Sequence, residues 1–190
     1  MTPSRLEAFS DGVLAIIITI MVLDLRVPHG DTLAALYPLR AAFLAYVLSF
    51  LFVGIYWNNH HHLTHTVKHV TAGIMWANLH LLFWLSLFPA VTGWIGHHPE
   101  ASWPTALYGT VLLATGLAWH LLQRAIIRSG GSLAEMIGSD LKGKISLVIY
   151  LTGIGLAFVR PWVADLIFAL AAALWFVPDR RIEKGLAPKE

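Results

Sequence analysis

Histidine is the residue type in this chain best suited to chemistry, and five of the ten histidines lie between residues 60 and 69. His61, His65 and His69 recur every four residues, which places them on one face of a helix. Neutral imidazoles at this spacing can bind Zn2+. The segment holds no carboxylate to complete a ligand set, and the chain has no cysteine. We therefore predict no metal site and no cofactor, and we interpret the cluster as a hydrated histidine patch at the membrane surface.

A second chemical group is Asp11, at the start of the first apolar run. A carboxylate costs about 2.5–3.5 kcal/mol at the centre of a membrane helix, so it normally faces protein or water and has a partner. Four nearby residues share one narrow helical face: Gly12, Ile16, Thr19 and Leu23. At about 100° per residue, Asp11 lies about 140° from Ile16 and faces neighbouring helices. We expect a packed Arg5–Asp11–histidine network, because the histidine cluster is predicted at the same membrane depth.

Enzyme chemistry is not indicated. Serine, histidine and aspartate are present, but the sequence contains neither a nucleophile elbow nor a phosphate-binding glycine loop. A net charge of +2 is too small to favour nucleic acid as a partner.

Asn78, His80 and His120 lie within apolar segments, and we interpret them as residues that hydrogen-bond between helices.

The elements that position these residues are six apolar segments. Hydrophobic residues make up 57% of the 190 residues and charged residues only 13%, against roughly 25% charged in a globular protein. Six segments reach or approach the roughly 20 residues of a membrane span: 8–27, 39–58, 71–93, 104–124, 144–160 and 161–178. The predicted fold class is an all-α integral membrane protein with about six transmembrane helices in one domain, 1–190. The first run lacks a signal-peptide cleavage pattern and is interpreted as a retained helix.

Two connections affect this assignment. The last two segments meet at Arg160 and Pro161, and proline is common at the first position of a helix. We predict a tight turn there; one long broken helix is the alternative. The longest connection, 129–143, contains four glycines and is interpreted as a linker or an amphipathic surface segment.

Loop charges predict the orientation in the bilayer. With a cytoplasmic N-terminus, ten of the thirteen Lys and Arg residues lie on cytoplasmic flanks, and only Arg26, Arg40 and Arg160 lie outside. This bias follows the positive-inside rule and predicts that both termini are cytoplasmic. Four tryptophans near the proposed helix ends resemble an aromatic belt: Trp57, Trp94, Trp103 and Trp162.

The first 90 residues resemble a known family. The run Arg5-x-x-x-Phe9-Ser10-Asp11-Gly12 is similar to the first-helix signature of the bacterial TMEM175 family, which are lysosomal-potassium-channel-type proteins. Further similarity lies in residues 56–62, in Asn78 and in Pro89. The resemblance implies a prokaryotic plasma-membrane protein. It also implies a structural network of the signature motif, formed by Arg5, Phe9, Ser10, Asp11, Trp57, His61, His62 and Asn78.

The same resemblance implies a channel that conducts K+. In that family four first helices line the pore, so a homotetramer is expected. Ile16 matches the constriction, and Thr19 and Leu23 match the pore-facing positions that follow. The sequence has no Thr-Val-Gly-Tyr-Gly filter run. Periodicity alone would make the Ile16 stripe an ordinary packing surface. A small secondary transporter and a non-conducting membrane scaffold remain the two alternatives.

Overall fold

A computed structural model describes residues 2–130 and 140–176, and all regular secondary structure in these ranges is helical. The helices are α1 (Pro3–Leu23), a 3-10 helix (Leu33–Leu39), α2 (Arg40–Thr64), α3 (Ala72–Ser86), α4 (Phe88–His97), α5 (Ser102–Arg128), α6 (Leu141–Ala157) and α7 (Pro161–Phe176). The all-α prediction is confirmed, and each of the six predicted segments corresponds to helix. Residues 177–178 of the last segment and 131–139 of the linker lie outside the described residues.

Within residues 2–130 and 140–176, four stretches are long and apolar enough to cross a membrane: α1, residues 33–64, residues 72–97 and α5. The two remaining helices are shorter, with 17 residues in α6 and 16 in α7. At 1.5 Å per residue they extend for about 25 Å, slightly less than the roughly 30 Å of a hydrocarbon core. The chain is therefore a multi-pass helical membrane protein.

The third predicted span differs from the expectation, because it consists of two helices. α3 ends at Ser86 and α4 begins at Phe88, with Leu87 between them. Proline lacks an N–H and its ring clashes with the carbonyl four residues earlier. Pro89 therefore ends the α3 hydrogen-bond pattern and is accommodated in the first turn of α4.

The predicted tight turn between the last two segments is observed. α6 ends at Ala157 and α7 begins at Pro161, and the Arg160 N–H donates to the Leu156 carbonyl at 2.8 Å. The two helices pack side by side, with the buried Phe168 ring against Gly153. One long broken helix, the alternative, is excluded.

α5 is the most buried of the four long spans and contacts α3, α4, α6 and α7. Its buried face combines aliphatic and aromatic residues with small ones, among them Tyr108, Leu112, Gly116 and Trp119. α1 lies at the edge of this bundle, where it packs against α2, α3 and α4. The position of α1 at the edge leaves one of its faces without a partner among the described residues.

Candidate functional site

The two faces of α1 have opposite surroundings. Leu6, Ser10, Leu14, Ile17 and Met21 are buried against the bundle. The opposite face is exposed and carries the residues predicted to line a pore: Gly12, Ile16, Thr19 and Leu23. The side chain of Ile16 is 60% exposed, whereas that of the adjacent Ile17 is 3% exposed. The predicted stripe thus faces away from the subunit core.

The chemistry of this exposed face is aliphatic with one hydroxyl layer. Apart from the nearby backbone of α1 itself, an added Cβ at Gly12 would meet no atom of the described residues within 4 Å, and Leu23 is 77% exposed. The Thr19 hydroxyl donates to the Ala15 carbonyl at 2.8 Å. Because its hydrogen is used within the helix, the Thr19 oxygen keeps its lone pairs available for another donor or a cation.

Behind the stripe, a buried polar network joins α1, α2 and α3. His60 Nε2 lies 2.7 Å from Asn78 Oδ1, and Asn78 Nδ2 donates to Ser10 Oγ at 2.9 Å. The Ser10 hydroxyl donates in turn to the Leu6 carbonyl at 2.8 Å. All three side chains are buried. The predicted residues Ser10 and Asn78 therefore meet, but their histidine partner is His60, which was not among the predicted residues.

The predicted Arg5–Asp11–histidine network is wrong in its pairings. Trp57 Nε1 donates to Asp11 Oδ1 at 3.1 Å, so the partner of Asp11 is an indole. The carboxylate that meets a histidine is Glu7, whose Oε1 lies 2.6 Å from His61 Nδ1. The reason is angular, since Glu7 lies closer than Asp11 to the buried face of α1. Arg5 is exposed and forms no ion pair with any described residue.

The remaining signature residues lie around this network. Phe9 is 51% exposed and belongs to the same side of α1 as Ile16. The ring of His62 lies against that of His61, with the centroids 5.5 Å apart. A sequence signal for His60 was present, because it follows the buried Val53 by seven residues, or two helical turns.

The histidine cluster differs from the sequence prediction in two respects. α2 ends at Thr64, so His69 does not share a helical face with His61 and His65. The missing carboxylate comes from a different helix, since Glu7 of α1 approaches both histidines. One ligand atom from each of Glu7, His61 and His65 lies within 4.8 Å of the other two.

A second polar layer lies toward the other end of α1 and was not predicted. Ser49 Oγ lies 2.6 Å from Thr92 Oγ1 and 3.0 Å from the Tyr108 hydroxyl. Thr92 also approaches Met21 Sδ at 3.9 Å. These contacts join α2, α4 and α5 behind α1, so α1 is supported at two depths. Isolated serine and threonine residues in apolar segments gave no sequence signal for this pairing.

A third cluster, also not predicted, joins α5 to the start of α6. Asp140 caps α6 by accepting from the Gly143 N–H at 3.3 Å, and its other oxygen lies 3.1 Å from His120 Nε2. The Gln123 amide, oriented to satisfy both neighbours, accepts from Trp119 and donates to Asp140 at 3.2 Å. The His120 ring beside Asp140 holds the pKa of this carboxyl below its ordinary value, although burial acts in the opposite direction.

The three interhelical interpretations can now be compared with the structure. Asn78 does hydrogen-bond between helices, and His120 contacts Asp140 beyond its own helix. His80 does not fit the interpretation, because it is exposed and its Nε2 accepts from Trp84 of the same helix at 2.8 Å. Its position faces away from the bundle rather than into it.

Fold and site together define a small multi-pass helical membrane protein. One apolar face of its first helix is not covered by any other described part of the subunit. Residues 5–89 match the model of the family described as endosomal/lysosomal potassium channel TMEM175. A protein of Chryseobacterium sp. (strain P1-3), named as a potassium channel, is 54% identical over 189 residues, covering 98% of each chain. The chain belongs to the TMEM175 family.

Two further similarities extend over most of the chain. A protein of Streptomyces collinus, also named as a potassium channel, is 32% identical over 169 residues and 82% of each chain. The crystal structure of a lysosomal potassium-selective channel TMEM175 homolog from Chamaesiphon minutus superposes with a TM-score of 0.82 at 24% identity, covering 94% of this chain and 97% of that one. The structural likeness supports the fold. The family and these relatives are channels and not enzymes, as the sequence predicted.

Proposed function

We propose that the protein is a potassium-conducting cation channel, built as a homotetramer with the exposed face of α1 from each subunit around a central pore. The single observation that carries the proposal is the exposed stripe on α1, which stands opposite the buried face that packs on the bundle. Relatives at 54% and 32% identity are named potassium channels. Four copies of this face would enclose an axial path lined by one helix per subunit.

The constriction in this proposal is a ring of Ile16 side chains. An ion that crosses an aliphatic ring loses hydration and gains no oxygen ligand, so conduction requires the ring to open or to become wet. Thr19 follows about 4.5 Å along the helix axis. Its hydroxyl oxygen, with lone pairs not used by its own hydrogen bond, supplies a ligand that replaces part of the hydration shell of K+.

Orientation and location complete the proposal. Ten of the thirteen Lys and Arg residues flank the predicted spans on the same side of the membrane as the N-terminus. We therefore place both termini in the cytoplasm. The membrane is then the plasma membrane of a prokaryote, and K+ is the permeant ion rather than a bound cofactor. In this orientation Glu7 and the end of α2 lie at the cytoplasmic side.

A secondary cation transporter is the second candidate, because transporter sites are often built where membrane helices are interrupted. The interruption between α3 and α4 is such a feature. Phe88 at the interruption is fully buried and packs against the rings of Phe52 and Tyr108. These apolar surroundings offer a cation little ligation, so the channel is favoured.

The test is bilayer recording of purified protein with Thr19→Val and a matched control, Thr152→Val. Both threonines are exposed, and each hydroxyl donates at 2.8 Å to the carbonyl four residues earlier in its own helix. We expect discrete K+ currents from the wild type, reduced discrimination between K+ and Na+ in Thr19→Val, and wild-type behaviour in Thr152→Val. Flux that lacks discrete steps and depends on a counter-transported ion would favour the transporter, and absence of any ion flux would favour a scaffold.

A further inference from the structure

We propose that Glu7, His61 and His65 form a binding site for a transition-metal dication such as Zn2+, which joins the first turns of α1 to the end of α2. The donor set is one carboxylate and two imidazoles, a combination that binds zinc in proteins with a fourth position left for water. The three residues come from two helices, so the bound ion would be a bridge between them.

The geometry is close to that of a zinc site. Glu7 Oε1 lies 2.6 Å from His61 Nδ1 and 3.9 Å from His65 Nε2. With metal–ligand bonds of about 2.0–2.1 Å, tetrahedral ligand atoms stand about 3.3 Å apart. Each of these two separations therefore needs to change by less than about 1 Å, and the ligand atoms of His61 and His65 lie within 4.8 Å of one another.

The histidine pair is already arranged for shared coordination. His61 and His65 are one helical turn apart, and their ring centroids lie 4.4 Å from one another with the planes 76° apart. Their side chains are 48% and 53% exposed, whereas that of Glu7 is 21% exposed. An ion can therefore enter from solvent, and the solvent supplies the remaining ligand. The partly buried Glu7 supplies the fixed carboxylate.

A metal bridge at this place would also act on the pore, an effect that rests on the proposed function. Glu7 and Ile16 belong to the same helix and are about 13.5 Å apart along its axis. Opening of an Ile16 ring requires α1 to move or rotate relative to the helices behind it. An ion that ties Glu7 to α2 restrains that movement, so the bound metal is expected to reduce the K+ current.

The binding test is a Zn2+ titration by calorimetry of the purified full chain in detergent, after removal of any polyhistidine tag. We expect one Zn2+ per subunit. Glu7→Gln, His61→Gln and His65→Gln are each expected to weaken binding at least tenfold. His69→Gln is the matched control, because His69 lies outside the cluster, and it should bind as the wild type does. Equal affinity in all four variants, or no saturable binding to the wild type, would overturn the site.

A second measurement tests the ligand set on the wild-type protein and so does not depend on whether the variants fold. Co2+ bound to the wild-type protein should give the intense visible absorption of tetrahedral coordination, and excess Zn2+ should remove it. A weak octahedral spectrum would overturn the proposed ligand set. Thermal unfolding in a chelator shows whether each variant is folded before metal is added.

Current recordings separate this proposal from the proposed function. Zn2+ on the cytoplasmic side should reduce the wild-type K+ current and leave the His65→Gln current unchanged. If one Zn2+ binds per subunit but the wild-type K+ current is unchanged, the metal site is supported and its effect on conduction is contradicted. Stoichiometric binding to a wild-type protein that conducts no ions would retain the site and contradict the channel.

Discussion

At the scale of single residues, Ile16 and Ile17 are neighbours with opposite surroundings, since one is 60% exposed and the other 3% exposed. Ile16→Asn should widen and wet the proposed constriction, which raises single-channel conductance and weakens discrimination between K+ and Na+. Ile17→Asn should instead lower the free energy of unfolding by about 2–4 kcal/mol, because it places an amide in the apolar interior. Single-channel recording and thermal unfolding of both variants check this contrast.

One outcome would refute the position of the gate. If Ile16→Asn leaves conductance and selectivity unchanged while Ile20→Asn changes both, then the constriction lies at Ile20. Ile20 is a fair comparison, because its side chain is 48% exposed on the same helix.

The buried network gives a second contrast between residues. Asn78→Leu keeps the volume but leaves His60 Nε2 without its partner, and His60 Nδ1 already has none among the described residues. We expect a loss of about 1–3 kcal/mol of unfolding free energy. Asp11→Asn keeps an oxygen that accepts from Trp57 and should cost less than about 1 kcal/mol. Thermal unfolding in detergent measures both, and the reverse ranking would contradict the assigned pairings.

Several of these residues were predictable from the sequence, but their interaction partners were not. Helical periodicity correctly separated the Ile16 side of α1 from the side of Asp11, because one helix has a fixed angle per residue. Which side chains pair depends on the relative rotation of the two packed helices. A single sequence does not specify that rotation. The carboxylate beside a histidine is therefore Glu7 with His61, where Asp11 was predicted with an unspecified histidine, and His60 pairs with Asn78.

At the scale of helices, Gly153 and Gly155 of α6 provide a matched pair. A Cβ added at Gly153 would overlap the buried Phe168 ring of α7, whereas one at Gly155 would meet no described atom within 4 Å outside the nearby backbone of α6. Gly153→Ala should lower the unfolding free energy by about 1–3 kcal/mol through overpacking. Gly155→Ala should be neutral or stabilising by up to about 1 kcal/mol, because alanine favours helix. Equal effects in thermal unfolding would show that α6 and α7 do not pack in this way.

The start of α6 carries a pH-dependent contribution to stability. The His120 ring beside Asp140 lowers the pKa of this carboxyl in the folded state. A lowered folded-state pKa means that the contribution is present above the unfolded-state value of about 3.9 and is lost as the pH falls through the folded-state pKa. Asp140 is therefore expected to stabilise the fold at neutral pH and to stop doing so in strong acid.

Asp140→Asn isolates this charge effect. Asparagine tolerates the positive φ of 40° at this position and still caps a helix. The variant should be about 1 kcal/mol less stable than the wild type at neutral pH, and the difference should narrow below about pH 4. Thermal unfolding across pH measures the difference, with Asp31→Asn, an exposed site, as the control. If the stability difference between the wild type and Asp140→Asn does not change with pH, the charge interaction between His120 and Asp140 is contradicted.

The order of helices was more predictable than their interruptions. Long apolar segments must form helices in lipid, because every backbone group needs an internal partner. The tight turn before Pro161 was predictable because proline is common at the first position of a helix. The interruption at Leu87 was missed, although Pro89 was its visible cause, because apolar segment length alone does not distinguish a continuous helix from a broken one.

At the scale of the whole molecule, the subunit has a packed side and an open side. α5 is the most buried of the long spans and contacts α3, α4, α6 and α7, whereas α1 offers one face to the outside. Assembly around α1 would cover that face with three symmetry-related copies. The tetramer was implied by family resemblance and not by periodicity, because no residue pattern within one subunit specifies the number of copies.

The most direct test of the proposed pore is a single-cysteine scan of α1. The chain has no native cysteine, so each variant carries one thiol and no background reaction. Cysteines replace the exposed Gly12, Thr19 and Leu23 and, as matched controls, the buried Leu14 and Ile17. The measurement is the loss of K+ current when a charged methanethiosulfonate reagent is added to the recording chamber.

A pore lined by the exposed face of α1 predicts loss of current at Gly12→Cys, Thr19→Cys and Leu23→Cys, because a charge attached there enters the ion path. It predicts no loss at Leu14→Cys or Ile17→Cys, whose side chains are 2% and 3% exposed in the native subunit. Loss of current at the two buried positions, with none at the exposed stripe, would contradict a pore lined by this face of α1.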